Sequence, residues 1–255
     1  MMNLTLYVER DSIIHKIDPI TKLIYCLVAA SVPYIISEHM FTFFLMLISI
    51  ALLFIGKVFR KMIPLYLLSM FIFITIVIIQ GIFHPDNVTP LISFGPVTFF
   101  KEGLMLALLL ILRIINMISA FGVLILTTQV DDLIQSLVKK GMSPRVGYMI
   151  GSVLQIIPHM SSMVSTISDA QRSRGLETEG KLSTRIKAFF PLIGPVIMNS
   201  LIATKERAIA LELRGFNSRR KKTFLQDDKE FLFGKPCQLI LILFFIGMII
   251  WRILQ

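Results

Sequence analysis

The sequence predicts an all-α fold: a polytopic membrane helical bundle with about five spanning helices and a long basic region held on one side of the bilayer. Three observations lead there. Of the 255 residues, 55% are hydrophobic and only 16% are charged, which is too apolar for a water-soluble domain of this length. Several apolar runs reach the roughly 17–25 residues that a helix needs to cross a bilayer. The charges are also segregated, with seventeen Lys and Arg residues between 130 and 235.

The spans fall at 22–37, 40–56, 62–83, 103–127 and 237–254. The first two are short and read as a tight hairpin turning at Glu38-His39. The third is interrupted only by Ser69, Thr75 and Gln80. The fourth carries Arg113, with Asn116 one turn away. An arginine centred in a bilayer costs about 2.5–3.5 kcal/mol on insertion scales, so this one is expected to face the bundle or a partner. Arg113 and Asn116 are therefore a possible intramembrane polar site. The last span ends in Trp251-Arg252, an aromatic and a cation suited to the interface.

Basic residues fix the sidedness. Arg10, Lys16 and Lys22 precede or open the first span, and Lys57, Arg60 and Lys61 lie between the second and third. The opposite side receives Lys101 and Arg252. The positive-inside rule then puts the N-terminus and the basic region in the cytoplasm. Three segments follow: a four-span bundle over 1–127, a cytoplasmic region over 128–235, and a final span over 236–255. The first 20 residues, with their mixed charges, do not read as a signal peptide.

Residues 145–167 and 186–203 are apolar enough to tempt a spanning assignment. If both crossed, the loop bearing Arg172, Arg174, Lys181 and Arg185 would face outward, against the charge rule. They read instead as helices on or near the cytoplasmic membrane surface. Boundaries nearby are well marked. Thr128-Gln129-Val130-Asp131 resembles a capping box with Asp in place of the usual Glu or Gln. Lys139-Lys140-Gly141 reads as a helix stop. Ser143-Pro144 reads as an N-cap followed by the first helical residue.

The basic region repeats a phrase. Ala170-Gln171-Arg172-Ser173-Arg174-Gly175 and Ala210-Leu211-Glu212-Leu213-Arg214-Gly215 both read A-x-x-x-R-G, 40 residues apart. A single arginine in a last turn followed by glycine is an ordinary helix stop. Two copies on the same side of a membrane point to a pair of contacts with a cytoplasmic partner. At 100° per residue, Met160, Met163, Val164, Ile167 and Ala170 share one stripe with Arg174 at its end. In the second copy Ala203, Arg207, Ala210 and Arg214 share a face. The planar guanidinium can pair with a carboxylate through two hydrogen bonds.

These residues resemble the transmembrane T component of energy-coupling factor (ECF) transporters, a type of ABC importer, over nearly the whole chain. Ile17-Asp18-Pro19 with Lys22-Leu23 is similar to that family's opening L-D-P-x-x-K-L. Leu112-Arg113 and Thr127-Thr128-Gln129-Val130-Asp131-Asp132-Leu133 resemble its fourth span and the threonine turn after it. Ile157-Pro158 leading to Ala170-Gln171 and Ser173-Arg174-Gly175 matches its first signature. Arg207-Ala208 leading to Ala210 and Arg214-Gly215-Phe216 matches its second. The chain departs at Gln155, where the family often has Arg, and at Leu213, where it usually has Ala.

The resemblance implies a non-catalytic scaffold in the cell membrane. Its partners would be two cytoplasmic ATPases and a small substrate-binding membrane subunit. Two long coupling helices would end in the signatures and dock on the ATPases. Arg174 and Arg214 would be the principal docking charges, with Ala170, Gln171, Ser173, Gly175, Ala210, Leu213, Gly215 and Phe216 shaping the ends. The cargo would be a vitamin, a vitamin precursor or a metal ion such as cobalt or nickel. No cofactor is implied.

Other function classes find little support. Gly175 to Lys181 fits G-x-x-x-x-G-K, but Leu182 follows where a phosphate loop needs Ser or Thr, and Glu177 and Glu179 would repel phosphate. The net charge of +10 comes without a nucleic-acid-binding motif, so no nucleic-acid partner is expected. Cys26 and Cys237 form neither metal-ligand spacing nor a disulfide framework, and no metal cluster is expected. The alternatives are a conventional transporter permease and, further off, an intramembrane enzyme. The four scattered histidines and the lack of H-E-x-x-H or G-x-S-x-G weigh against the enzyme.

Overall fold

The structure is a computed structural model, and it describes residues 7–85, 88–94, 97–176, 182–218 and 234–254. The fold is that of an all-α membrane protein. A 3-10 turn at Ile13–Lys16 precedes α1 (Pro19–Ile35), α2 (His39–Ile55) and α3 (Phe59–Phe83). Then come α4 (Lys101–Thr127), α5 (Val130–Lys139), α6 (Pro144–Ser173), α7 (Leu182–Leu213) and α8 (Gly234–Leu254). Every run read as a span is a helix. Among the described residues, only α3, α4 and α8 are both long and apolar enough to cross a membrane by length and composition; α1 and α2 have 17 residues each.

One element escaped the sequence reading. Between α3 and α4, β1 (Pro90–Phe94) pairs antiparallel with β2 (Val97–Phe100). The pair is too short to show the alternation that identifies a strand from sequence. Its neighbour Glu102 accepts hydrogen bonds from the backbone amide of Thr89 at 3.2 Å and from the Thr89 hydroxyl at 2.5 Å.

The chain forms two compact units, Met1–Met142 with Asp228–Gln255, and Ser143–Asp227. In the first, α4 is central and contacts α1, α2 and α3. Over the most apolar windows, 39% of α4 is buried, against 11% of α3 and 6% of α8, so α4 is the core helix and the other two are peripheral. Close packing sets the α3–α4 contact. A Cβ on Gly122 of α4 would lie 2.5 Å from the Met62 Cε of α3, so the glycine lets that side chain in.

Bundles in lipid gain little from the hydrophobic effect between helices, so polar ties carry weight. A buried chain of hydrogen bonds joins three helices. The Tyr25 hydroxyl bonds Ser49 Oγ at 2.7 Å, Ser49 Oγ donates to Asn116 Oδ1 at 2.7 Å, and Asn116 Nδ2 donates to the Ala29 carbonyl at 2.7 Å. Ser49 has one proton and gives it to Asn116, so Tyr25 must be the donor to Ser49.

A second set of ties closes the basic end of the bundle. Lys22 Nζ donates to the Thr127 carbonyl at 2.9 Å. Gln238 of α8 donates to Asp18 Oδ2 at 2.5 Å and Thr21 Oγ1 at 3.0 Å, and accepts from Lys140 at the end of α5. The segment before the 3-10 turn docks there too. Val8 N–H donates to the Leu126 carbonyl at 3.1 Å, and Ile14 joins Leu53, Val58, Met62, Val123 and Leu126 in a buried cluster.

One expected cap is absent. The residue before α5 is Gln129, and the capping box expected from Thr128 does not form: its Oγ1 is buried without a partner among the described residues. Packing of the α4–α5 turn into the bundle has taken that hydroxyl away from the amides it would cap. Ser143 does precede α6, with Pro144 first in the helix, but its side chain makes no cap bond.

In the second unit α6 and α7, of 30 and 32 residues, pack against each other. Helix continues past Pro158 in α6 and past Pro191 and Pro195 in α7.

Candidate functional site

Both repeated phrases end helices by the same backbone device. In the first, Arg174 N–H donates to the Gln171 carbonyl at 3.1 Å, Gly175 N–H to Arg172 at 2.9 Å, and Leu176 N–H back to Gln171 at 3.0 Å. In the second, Arg214 N–H donates to Ala210 at 3.1 Å, Gly215 N–H to Glu212 at 2.9 Å, and Phe216 N–H to Leu211 at 3.0 Å. The six-residue closure with a left-handed glycine is a Schellman stop. Gly175 sits at φ +90° and Gly215 at φ +72°. Among the described residues nothing lies within 4 Å of a Cβ built on either, so backbone conformation is what calls for glycine there.

The stops leave both arginines exposed. Ala170, Ser173, Ala210 and Leu213 are exposed as well, while Gln171 and Phe216 are half-buried. Leu213, the departure from the family pattern, is 84% exposed, so its larger side chain meets no obstacle. On the stripe leading to Arg174, Met160, Met163 and Ile167 are half-buried while Val164 and Ala170 are open. The phosphate-loop look-alike begins at the Gly175 helix stop, which follows a helix instead of a strand, and its residues 177–181 lie outside the described residues.

The helix pair sets the two arginines far apart. Phe216, two residues past Arg214, packs on Tyr148 near the start of α6 with ring centroids 5.2 Å apart. Arg174 closes the other end of α6. The stretch from Tyr148 to Arg174 amounts to roughly 40 Å of helix at 1.5 Å per residue. The helices are thus antiparallel, with one signature at each end of the pair. The sequence predicted two helix ends with one chemistry, and the Tyr148–Phe216 contact places them at opposite ends.

The possible intramembrane pair divides its partners. Arg113 Nη2 donates to Ser37 Oγ at 2.9 Å, and its guanidinium carbon lies 4.9 Å from the centre of the Tyr34 ring. Its Nε is buried without a partner among the described residues. Asn116 is fully buried in the Tyr25–Ser49–Ala29 chain. Among the described residues no group of three or more His, Cys, Asp or Glu side chains is placed to hold a metal ion.

The profile of the CbiQ family, described as cobalt transport protein, matches residues 10–224. The chain belongs to this family. The matched span contains the opening Asp18-Pro19 motif and both arginine signatures, and it supports the resemblance to ECF T components. The chain is 27% identical over 259 residues to the energy-coupling factor transporter transmembrane protein EcfT of Clostridium kluyveri, covering 96% of each. It is 23% identical to the protein of that name from Staphylococcus aureus, covering 85% of this chain and 84% of the relative. The protein of that name from Limosilactobacillus fermentum is 26% identical, with 85% of each covered. The apolar helices and the relatives make this CbiQ-family chain a membrane protein of a transporter.

Proposed function

We propose that the chain is the transmembrane coupling component of an energy-coupling factor importer. In this reading it joins two cytoplasmic ATPase subunits to a small substrate-binding membrane subunit. It lies in the cell membrane, with its N-terminus and residues 128–235 cytoplasmic. It performs no chemistry itself. ATP-driven movement of the ATPases is received at Arg174 and Arg214 and passed along α6 and α7 to the substrate-binding subunit. The cargo is a vitamin, a vitamin precursor or a metal ion such as cobalt or nickel.

One observation carries the reading: two identical arginine-bearing helix stops at opposite ends of one antiparallel pair. A separation of roughly 40 Å is too large for a single small groove and suits one contact on each of two subunits. Exposed arginines offer planar donor forks for carboxylates on those partners. A rigid pair of long helices can transmit displacement from one end to the other.

Affinity purification of the chain from mild detergent, with identification of what accompanies it, tests the proposal. Two ATPase chains and one small membrane protein are expected. A chain that supports uptake in cells yet purifies without any ATPase would sink it.

A further inference from the structure

A cavity of about 360 Å³ opens at the basic end of the bundle, lined by Asp11, Ser12, Ile13, Lys16, Ile55 and Lys57. It lies between the 3-10 turn and the end of α2. We infer that it is a binding site for a monoanionic phospholipid with a hydroxyl-bearing headgroup, whose phosphodiester sits between the ammonium groups of Lys16 and Lys57.

Four observations carry this. First, both lysines are exposed and neither is ion-paired among the described residues, so their charge is available. Second, Lys57 occupies a costly conformation. It is the one described non-glycine residue at positive φ, 55°, while Gly56 beside it sits at an ordinary −68°. The α2 stop closes through Val58 N–H to the Leu53 carbonyl at 3.1 Å, which puts Lys57 where glycine is the easy choice. Strain of this kind gathers at functional positions, and here the strained residue is a lysine that lines the cavity.

Third, the remaining polar groups call for a donor-bearing headgroup. His15 Nε2 lies 2.9 Å from the Val8 carbonyl, which can only accept, so the neutral ring carries its proton there. Nδ1 then accepts from Ser12 Oγ at 2.7 Å. Ser12 has spent its proton, so it and the Asp11 carboxylate, both of residues that line the cavity, can only accept. Headgroup hydroxyls satisfy them. The lining carries two cations and one anion, a formal +1 that a monoanionic lipid neutralises and a zwitterionic one does not.

Fourth, an apolar track leads to the cavity. Phe44, Ile48, Ala51 and Ile55 recur at helical spacing along α2, and all are exposed. With Ile13, 63% exposed at the rim, they give acyl chains a surface continuous with the headgroup site. The proposal rests on the chain being a membrane protein, not on its ATPase partners.

The test is native mass spectrometry of the full-length protein in mild detergent with equimolar phosphatidylglycerol and phosphatidylethanolamine. Phosphatidylglycerol should be retained preferentially. Lys16→Gln and Lys57→Gly should each lower its occupancy about fivefold, the effect of one lysine near an anionic surface. Lys57→Gly relieves the backbone at φ 55°, so its unfolding temperature should not fall, and loss of lipid cannot then be blamed on misfolding. Equal retention of the two lipids, or unchanged occupancy in both variants, would overturn the proposal. So would displacement of the lipid by soluble glycerol phosphate at equal concentration, which would make the cavity a site for free anions.

Discussion

Asn116 supplies the hydrogen-bond donor that Pro33 removes. Pro33 lies inside α1 and has no N–H, so the carbonyl four residues earlier, Ala29, loses its helical partner. Asn116 Nδ2 from α4 bonds that carbonyl at 2.7 Å, in the buried centre of the bundle. A helix-breaking residue and an intramembrane amide, each unfavourable alone, make one satisfied contact together.

The pairing predicts non-additive mutations. Asn116→Leu should destabilise the bundle by about 1–1.5 kcal/mol, the upper part of the range for interhelical bonds in membranes. In a Pro33→Ala background the backbone amide returns to Ala29, so Asn116→Leu should cost clearly less. Unfolding free energies in mixed micelles, arranged as a double-mutant cycle, measure the difference. Equal costs in both backgrounds would contradict the pairing.

Lys22 makes the corresponding tie at the basic end, donating to the Thr127 carbonyl at 2.9 Å. It is buried, with 4% of its surface exposed, so a methionine of similar shape keeps the packing and loses the donor. Lys22→Met should cost about 1.5–3 kcal/mol, the worth of a bond to a charged group. The same micelle unfolding assay reads it. Hydrogen exchange should rise first at the α4–α5 turn.

Arg174 and Arg214 are exposed and make no described side-chain bond, so stability should survive their replacement. Arg174→Glu and Arg214→Glu should unfold at the wild-type temperature and yet lose transport at least about tenfold, from a contact worth about 2–5 kcal/mol. The double variant should retain no ATPase on purification. Normal uptake with both charges reversed would dismiss the docking role.

Gly175 and Gly215 give a subtler version. Each holds positive φ in open space, so Val at either is strained by backbone conformation without a clash. Gly175→Val and Gly215→Val should fray the last turn and weaken ATPase retention, while Asn, which tolerates this conformation, should retain most of it. Co-purified ATPase per chain is the measurement.

His15 predicts a pH effect. Burial pushes its pKa below the ordinary 6.5, outweighing the bond to Val8 that raises it, with Lys22 and Arg10 adding to the depression against Asp11. The folded state therefore prefers the neutral ring. This contribution is complete above pH 6.5 and is lost as pH falls from there through the lowered folded value. Protonation also forces Nδ1 to stop accepting from Ser12. The unfolding temperature should drop more between pH 7 and pH 5 in the wild type than in His15→Gln.

Local features were legible in the order of residues alone. Apolar runs placed α1 to α4 and α8 within a few residues, because crossing a bilayer needs length and composition that no remote residue supplies. Helix stops at Lys139-Lys140-Gly141, Arg174-Gly175 and Arg214-Gly215 were legible because a left-handed glycine closes bonds within six residues. The capping box expected at Thr128 does not form, since packing of the turn decides where that hydroxyl points. The sequence marked Lys22 at the opening of one span and Asn116 inside another, but not their partners. Those partners lie about ninety to a hundred residues away, and only the folded bundle brings them within hydrogen-bond reach. The direction of α7 was decided in the same way. Forty residues between two signatures fit neighbours or opposite ends equally, and the contact of Phe216 with Tyr148 settles it.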